Sequence, residues 1–270
     1  MDIGCELELF KNNTVNNWHE HVSINAETGK LNITECDRLA AHAKLLYQDM
    51  VAISIPLNVL ETPEKMEACN DAVAEACSRY PELFRGMTFV DPHHGRFSVA
   101  EIERCVKGLG FVGVKMYHQK KLDDPMQYPI IEKCIELDIP ILMHAGKLSQ
   151  PLADTQPNLA DVRQFVNISK RYPEAVFLMA HIGGGGDWFW QLKGIAGCPN
   201  VFVDISGSVY DFGIVEETVA VFGAERILYG ADGSFSSGAG KLLGAQISKE
   251  DKITILGGPR FAKYLNRKVG

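Results

Sequence analysis

The sequence predicts an α/β fold organised as a single (β/α)8 TIM barrel over residues 1–270. Three observations lead there. Short apolar runs alternate with longer stretches of helical periodicity almost without interruption, which implies parallel strands joined by right-handed crossovers. The runs number eight, enough to close a barrel. No G-x-G-x-x-G or G-x-x-x-x-G-K-[ST] loop follows an early strand, which counts against a doubly wound open sheet; the one glycine run, Gly183 to Gly186, comes after the sixth strand.

In chain order the strands are expected at 15–22, 50–57, 84–91, 111–117, 140–145, 175–182, 201–206 and 226–232. After the first, these are short runs rich in β-branched and other apolar residues. Helical periodicity occupies 35–48, 63–79, 98–108, 128–138, 158–171, 213–223 and 251–266. Two of these helices stop at Arg79-Tyr80-Pro81 and Arg171-Tyr172-Pro173, where proline cannot continue the turn. Segments 23–32, 146–157 and 233–250 are left as loops. The last two are the longest and follow strands, so a barrel places them over its functional face. No internal repeat or linker interrupts the pattern, and one domain is expected.

Composition narrows the function. The chain is 46% apolar and 23% charged, an ordinary globular balance whose core needs no structural metal. Its 34 acidic and 27 basic residues are dispersed and give a net charge of −7, which argues against nucleic acid or an anionic membrane as partner. A small-molecule substrate is the expected partner, with a homodimer as the oligomeric option. The seven scattered cysteines include no C-x-x-C pair and read as reduced core thiols. The acidic start, Met1-Asp2-Ile3-Gly4-Cys5-Glu6, lacks a signal-peptide pattern, and no apolar run reaches the roughly 20 residues of a membrane span. A cytoplasmic protein is the expectation.

The chemistry-bearing residues stand at strand ends. His19 and His21 are two apart on the first strand, so both imidazoles point to one side and can share one metal. His144, His181 and Asp232 end the fifth, sixth and eighth strands, each just before a glycine-containing turn. In a parallel barrel these ends ring a single mouth, where catalytic residues gather. Imidazole and carboxylate together suit Zn²⁺ first, with Mn²⁺ or Fe²⁺ as alternatives. Taken singly, a histidine at a strand end is usually a satisfied structural residue, and Asp-Gly is usually a turn. Here the whole set of metal-ligand types converges.

The order His-x-His, His-Ala-Gly, Ala-His-Ile-Gly-Gly and Tyr-Gly-Ala-Asp along strands one, five, six and eight resembles the amidohydrolase superfamily. It is most similar to the amidohydrolase-related branch that holds aminocarboxymuconate semialdehyde decarboxylase, aromatic-acid decarboxylases and lactonases. Val90-Asp91-Pro92, Gly113-Val114-Lys115, Val203-Asp204-Ile205-Ser206 and Leu256-Gly257-Gly258-Pro259-Arg260 support the match, which runs through nearly the whole chain. The resemblance implies that His19, His21, His144 and Asp232 bind one divalent metal. It makes Asp232 ligand and general base as well, with His181 facing the bound water or the substrate. The family usually opens Asp-x-His-x-His, whereas Asn17 stands here. A carboxylate that would orient a ligand from behind is therefore expected to be missing.

Lys115 lies inside the fourth strand, where a charge is costly unless it reaches the mouth or a partner. It is expected to serve as a pocket cation; the alternative is a carbamylated lysine bridging two metals, as in two-metal members of the superfamily. Tyr117, His118, His93, His94 and Ser206 complete the substrate-contact candidates, set against packing, surface-loop or loop-anchoring roles. Asp204 shares a face with Ser206 and carries the same two readings. Trp188, Phe189 and Trp190 are expected to pack between helix and barrel, or to wall the pocket, and His42 is expected to play no chemical part. The leading function is hydrolysis of a small carboxylated lactone, ester or amide by metal-activated water. Non-oxidative decarboxylation of a conjugated or aromatic acid is the alternative, and a silent ligand-binding barrel is the third.

Overall fold

The computed structural model describes residues 8–25, 27–46, 49–53, 62–146, 152–185 and 187–265. Eight parallel strands follow one another in sequence order: β1 Asn16–His21, β2 Asp49–Ile53, β3 Phe84–Phe89, β4 Gly113–Met116, β5 Ile141–Met143, β6 Phe177–Met179, β7 Val201–Asp204 and β8 Ile227–Leu228. The last strand returns to the first. The Trp18 N–H donates to the Tyr229 carbonyl at 2.9 Å, and the N–H groups of Ala231 and Asp232 donate to the His19 carbonyl at 3.2 and 2.7 Å. The (β/α)8 barrel expected from the eight runs is the fold observed.

The outer helices are α1 Ile33–Leu45, α2 Pro63–Arg79, α3 Arg96–Glu103, α4 Tyr128–Glu136, α5 Val162–Arg171, α6 Trp188–Ile195, α7 Ile214–Phe222, α8 Phe235–Gly244, α9 Lys249–Gly257 and α10 Ala262–Leu265. Their starts carry the expected chemistry. Thr62 accepts from the Lys65 N–H ahead of Pro63, and Asp161 accepts from the N–H groups of Arg163 and Gln164.

Alternation along the strands sorts side chains into two layers. Val114, Met116, Ile141, Met143, Phe177, Met179, Val201 and Val203 pack outward against the helices. Leu142, Leu178, Phe202 and Leu228 turn inward and meet Trp18 and Phe261 in an apolar plug. Phe261 sits edge-on to both Trp18 and Phe202, with ring centroids 4.9 Å apart in each pair. Over this plug the inward positions become polar: Lys115 and Asp204 are fully buried.

Two differences from the sequence expectation bear on the site. The strands are shorter than the apolar runs, so His144, His181, Ser206 and Asp232 lie just beyond the last ladder residues; residues 54–57 of the second run fall outside the described residues. Segment 233–250 is not a loop: it contains α8 and the start of α9. The sequence of α8, FSSGAGKLLG, combines glycine and serine and has poor intrinsic helicity. Packing overrides propensity there. Leu242 is fully buried, and a Cβ at Gly238 would meet the Gly230 carbonyl oxygen at 2.8 Å, so only glycine lets α8 lie this close to the β8 exit. In segment 146–157, residues 147–151 fall outside the described residues and Leu152–Thr155 form a 3-10 turn. The six cysteines among the described residues are free thiols.

Candidate active site

His19, His21 and Asp232 converge where β1 meets β8. His21 Nε2 lies 2.9 Å and His19 Nε2 3.4 Å from Asp232 Oδ1. The β1–β2 register shifts between Asn17 and Glu20, yet both imidazoles reach the same carboxylate oxygen. His181 approaches from β6, its Nδ1 3.5 Å from Asp232 Oδ2. His144 stands behind it, with Nδ1 3.0 Å from His181 Nε2 and Nε2 3.3 Å from Gln156 Oε1. Tyr117 stacks on His144 at a centroid distance of 4.1 Å, and His118 lies beside Tyr117 at 4.5 Å.

The backbone pays for this convergence. Of the four non-glycine residues with positive φ among the described residues, three lie at these strand ends: His181 (69°), Ile182 (31°) and Asp232 (49°). Such conformations cost on the order of 1–3 kcal/mol each and persist only where surroundings impose them. Here the Ile182 N–H donates to the Asp204 carbonyl at 2.8 Å, and the Asp232 N–H donates to His19 as above.

A consistent set of hydrogen bonds fixes the tautomers. Lys115 has protons only to give, so its Nζ donates to His19 Nε2 at 3.0 Å. His19 then carries its proton on Nδ1 and donates to Asp204 Oδ2 at 2.9 Å. The Ser206 hydroxyl donates to Asp204 Oδ1, and its oxygen accepts from His181 Nδ1 at 3.0 Å. His181 Nε2 is left to accept from His144 Nδ1. Six side chains from β4, β5, β6, β7 and β1 form one chain of hydrogen bonds.

Electrostatics follow from burial and this wiring. Burial, reinforced by the Lys115 charge, holds the His19 pKa down, so His19 is a neutral donor. Burial alone would raise Asp204, but its hydrogen bonds from His19 and Ser206 keep the carboxyl below its usual range. Asp232 behaves likewise: desolvation is overcome by the His21 hydrogen bond and the neighbouring imidazoles. Burial drives His144 and His181 below ordinary imidazole values, leaving both neutral. Burial also lowers Lys115 to about 8, against the pull of Asp232 and Asp204, so it is an ammonium at neutral pH.

The donors fit a divalent cation. His19 Nε2, His21 Nε2 and Asp232 Oδ1 offer two imidazoles and a carboxylate within 4.8 Å of one another, a set suited to Zn²⁺, Mn²⁺ or Fe²⁺. The donor atoms of His19, His181 and Asp204 are also close, but there His19 and His181 present protonated Nδ1 atoms that already donate to Asp204 and Ser206, whereas His19 Nε2 is an unprotonated acceptor, bonded by Lys115, whose lone pair a cation could take. The orienting carboxylate expected to be missing at Asn17 is present elsewhere, as Asp204 on β7. Asn17 braces the backbone instead, its Oδ1 accepting from the Ala231 N–H at 3.0 Å and its Nδ2 donating to Glu20 at 3.1 Å. Glu20 is fully buried and accepts from the N–H groups of Gly233 (2.8 Å) and His21 (2.9 Å), fixing the turn after Asp232. Sequence reading missed Glu20; its only signal is a carboxylate lodged between two candidate ligands.

His93 and His94 stand apart from this network. His93 Nδ1 bonds Asp91 within its own turn at 2.7 Å, and its side chain is 47% exposed. Two clefts flank the converging donors. One of about 620 Å³ runs from Glu20, His21 and Gly233 to Arg38, His42 and Phe235. The other, about 400 Å³, lies between His144, Gln156, His181, Tyr210 and Asp232. Neither His93 nor His94 lines either cleft. No helix among the described residues is long and apolar enough to cross a membrane.

A closed parallel barrel with imidazoles and carboxylates converging at the C-terminal ends of its strands defines a metal-site barrel of the amidohydrolase type. The family model described as Amidohydrolase matches residues 39–251, and the chain belongs to that family. Within the superfamily it falls in the branch of aminocarboxymuconate semialdehyde decarboxylase and its relatives. It is 29% identical over 150 residues to 2-keto-4-carboxy-3-hexenedioate hydratase from Sphingobium sp. strain SYK-6, a match covering 48% of this chain and 44% of the hydratase. The chain thus spans less than half the length of that curated relative. Its fold superposes on 2,6-dihydroxybenzoate decarboxylase with its substrate bound (TM-score 0.73, 17% identity, 94% of this chain and 99% of the other). It also superposes on a manganese-containing dihydroxybenzoic acid decarboxylase from Polaromonas sp. JS666 (TM-score 0.69, 18% identity, 95% and 98%). These relatives are lyases, so the comparisons favour the second of the sequence expectations over hydrolysis of a lactone, ester or amide.

Proposed function

We propose that the chain is a divalent-metal-dependent lyase that removes CO2 from a small conjugated or aromatic acid. The observation that carries this reading is the convergence of His19, His21 and Asp232 beside the buried ammonium of Lys115. The charges point to an anionic substrate: against the carboxylates of Glu20, Asp204 and Asp232 stand the ammoniums of Lys115 and Lys241, and a divalent cation would turn that balance positive. His19, His21 and Asp232 would hold that cation, with His144 as the fourth ligand the family resemblance implies. Zn²⁺ binds such donors more tightly than Mn²⁺ by the usual affinity order, and availability decides between them. When bound, the ion supplies a Lewis acid against the substrate's oxygens.

The chain's own residues do the rest. Lys115 anchors a substrate oxygen from the barrel floor. Tyr117, stacked on His144, and His118, tilted against Tyr117, would wall one side of a flat acid, while His93 and His94 remain outer-rim candidates for loop contacts. Loss of CO2 leaves an electron pair on carbon that a proton must fill. Asp232 is ionised, so its Oδ2 would take the Nδ1 proton of His181, 3.5 Å away, and pass it to carbon, His181 recovering a proton from water after CO2 leaves. Ser206 holds His181 in the orientation this requires.

The similarity to a hydratase supports a second reading, addition of water to a conjugated keto acid at the same residues. Product analysis separates the two. Metal-loaded protein is expected to release CO2 from hydroxybenzoates or conjugated acids, whereas loss of substrate absorbance without CO2 selects hydration. Elemental analysis is expected to give about one metal per chain, and less than about 0.2 removes the metal reading altogether.

A further inference from the structure

Lys241 projects from α8 into the carbonyl groups at the exit of β7. Its Nζ lies 3.1 Å from the Ile205 carbonyl oxygen, 3.0 Å from that of Ser206 and 2.7 Å from that of Gly207. An ammonium has three protons to give, and three consecutive carbonyls take them. The Tyr210 ring covers the group at 5.0 Å. Burial pulls the Lys241 pKa down to about 8, which leaves the group charged at neutral pH. A surface lysine would be solvated instead of being spent on three backbone acceptors.

The clamped segment sits directly on the catalytic histidine. Gly207 has φ +86°, and a Cβ there would meet His181 Cβ at 2.7 Å and its Nδ1 at 3.1 Å. The Ser206 side chain, between the clamped carbonyls, bonds both His181 and Asp204. Movement of residues 205–207 therefore displaces the partners that orient His181 and His19. Charge is used together with shape, because the ammonium draws three carbonyl dipoles to one point and so fixes the turn that begins at the last β7–β8 bond, from the Ile205 N–H to the Leu228 carbonyl at 3.1 Å.

We propose that Lys241 is a positioning residue for the metal site, locking the β7 exit and, through Ser206 and Asp204, setting the imidazole orientations of His181 and His19. This rests on the metal-site reading above, so the test includes a measurement that needs neither substrate nor metal. In full-length Lys241→Met, the Mn²⁺ affinity is expected to fall about 10- to 100-fold, the usual effect of losing an outer orienting contact. In metal-free protein, the ring-nitrogen NMR signals of His181 and His19 are expected to move. Lys252→Met is the control, since it removes a more deeply buried lysine whose ammonium donates to the Leu243 carbonyl of the same helix α8 and not to the carbonyls of residues 205–207. It should lower the melting temperature while leaving Mn²⁺ affinity within about twofold. If the methionine variant does not fold, Lys241→Gln, which keeps two donor protons, carries both measurements.

Unchanged ring-nitrogen signals in folded Lys241→Met overturn the proposal, as does an equal loss of Mn²⁺ affinity in Lys252→Met. A wild-type chain that binds no Mn²⁺ or Zn²⁺ removes the proposed function instead, and the ring-nitrogen signals then decide the role of Lys241 alone.

Discussion

The two sides of the barrel mouth carry similar residue types and treat them differently. At β7, β8 and β1, His19, Asp204 and Ser206 are fully buried, and each bonds a residue from another strand. At β3, His93 bonds Asp91 two positions away, inside a single turn, and stays half exposed. Both places read in sequence as histidine and aspartate at a strand end. A group held by a distant strand has its orientation fixed by the whole barrel, while a group held by its own turn can reorient without cost elsewhere. Strand-end position is thus necessary for the chemistry proposed here, but cross-strand wiring selects the residues that do it.

The largest break in that asymmetry is expected at Asp232. Asp232→Asn removes the charge of the one carboxylate among the four residues proposed to hold the cation, and with it the partner of His21. Metal content is expected to fall below measurable occupancy and turnover by at least about 10³-fold. Retention of both would show that β8 does not carry the site. Asp204→Asn tests the wiring behind the ligands. It is expected to keep the fold but lose roughly 3 kcal/mol of stability, because His19, Ser206 and the N–H groups of His181 and Ser206 all aim at a carboxylate. Metal affinity should fall about 10- to 100-fold in a chelator competition. Gly207→Ala acts through shape alone. The positive φ and the 2.7 Å approach to His181 predict a loss of about 1–3 kcal/mol in urea unfolding, with reduced turnover.

These residues differ in how visible they are from sequence. His19, His21, His144, His181 and Asp232 announce themselves because metal-ligand types fall where apolar runs end, and a barrel brings run ends together. The eight runs were legible for the same reason: alternation and length survive without any knowledge of partners. Asp204 was visible only as an inward-facing candidate, since the atom that gives it meaning belongs to His19, 185 positions earlier in the chain. Glu20 was hidden by two histidines with a clearer signature. Lys241 was hidden more thoroughly, in a serine- and glycine-rich stretch whose helix forms by packing against the barrel. Local propensity carries no trace of such tertiary stabilisation.

The smallest effect is expected at His93, and its smallness is the informative part. His93→Ala deletes an imidazole that is 47% exposed, whose ring contact is to Asp91 in the same turn, while the Asp91 side chain still accepts from the backbone N–H of residue 93. Stability should therefore change by no more than about 0.5 kcal/mol, as for other surface positions. Metal content should be unaltered, because neither close donor group includes His93. Turnover is the discriminating measurement. A change of less than about twofold, against the about 10³-fold loss at Asp232, would establish that the chemistry does not extend to β3. A rise in KM at constant kcat would instead show that His93 contributes uniform binding to a substrate reaching across the mouth, extending the site to β3.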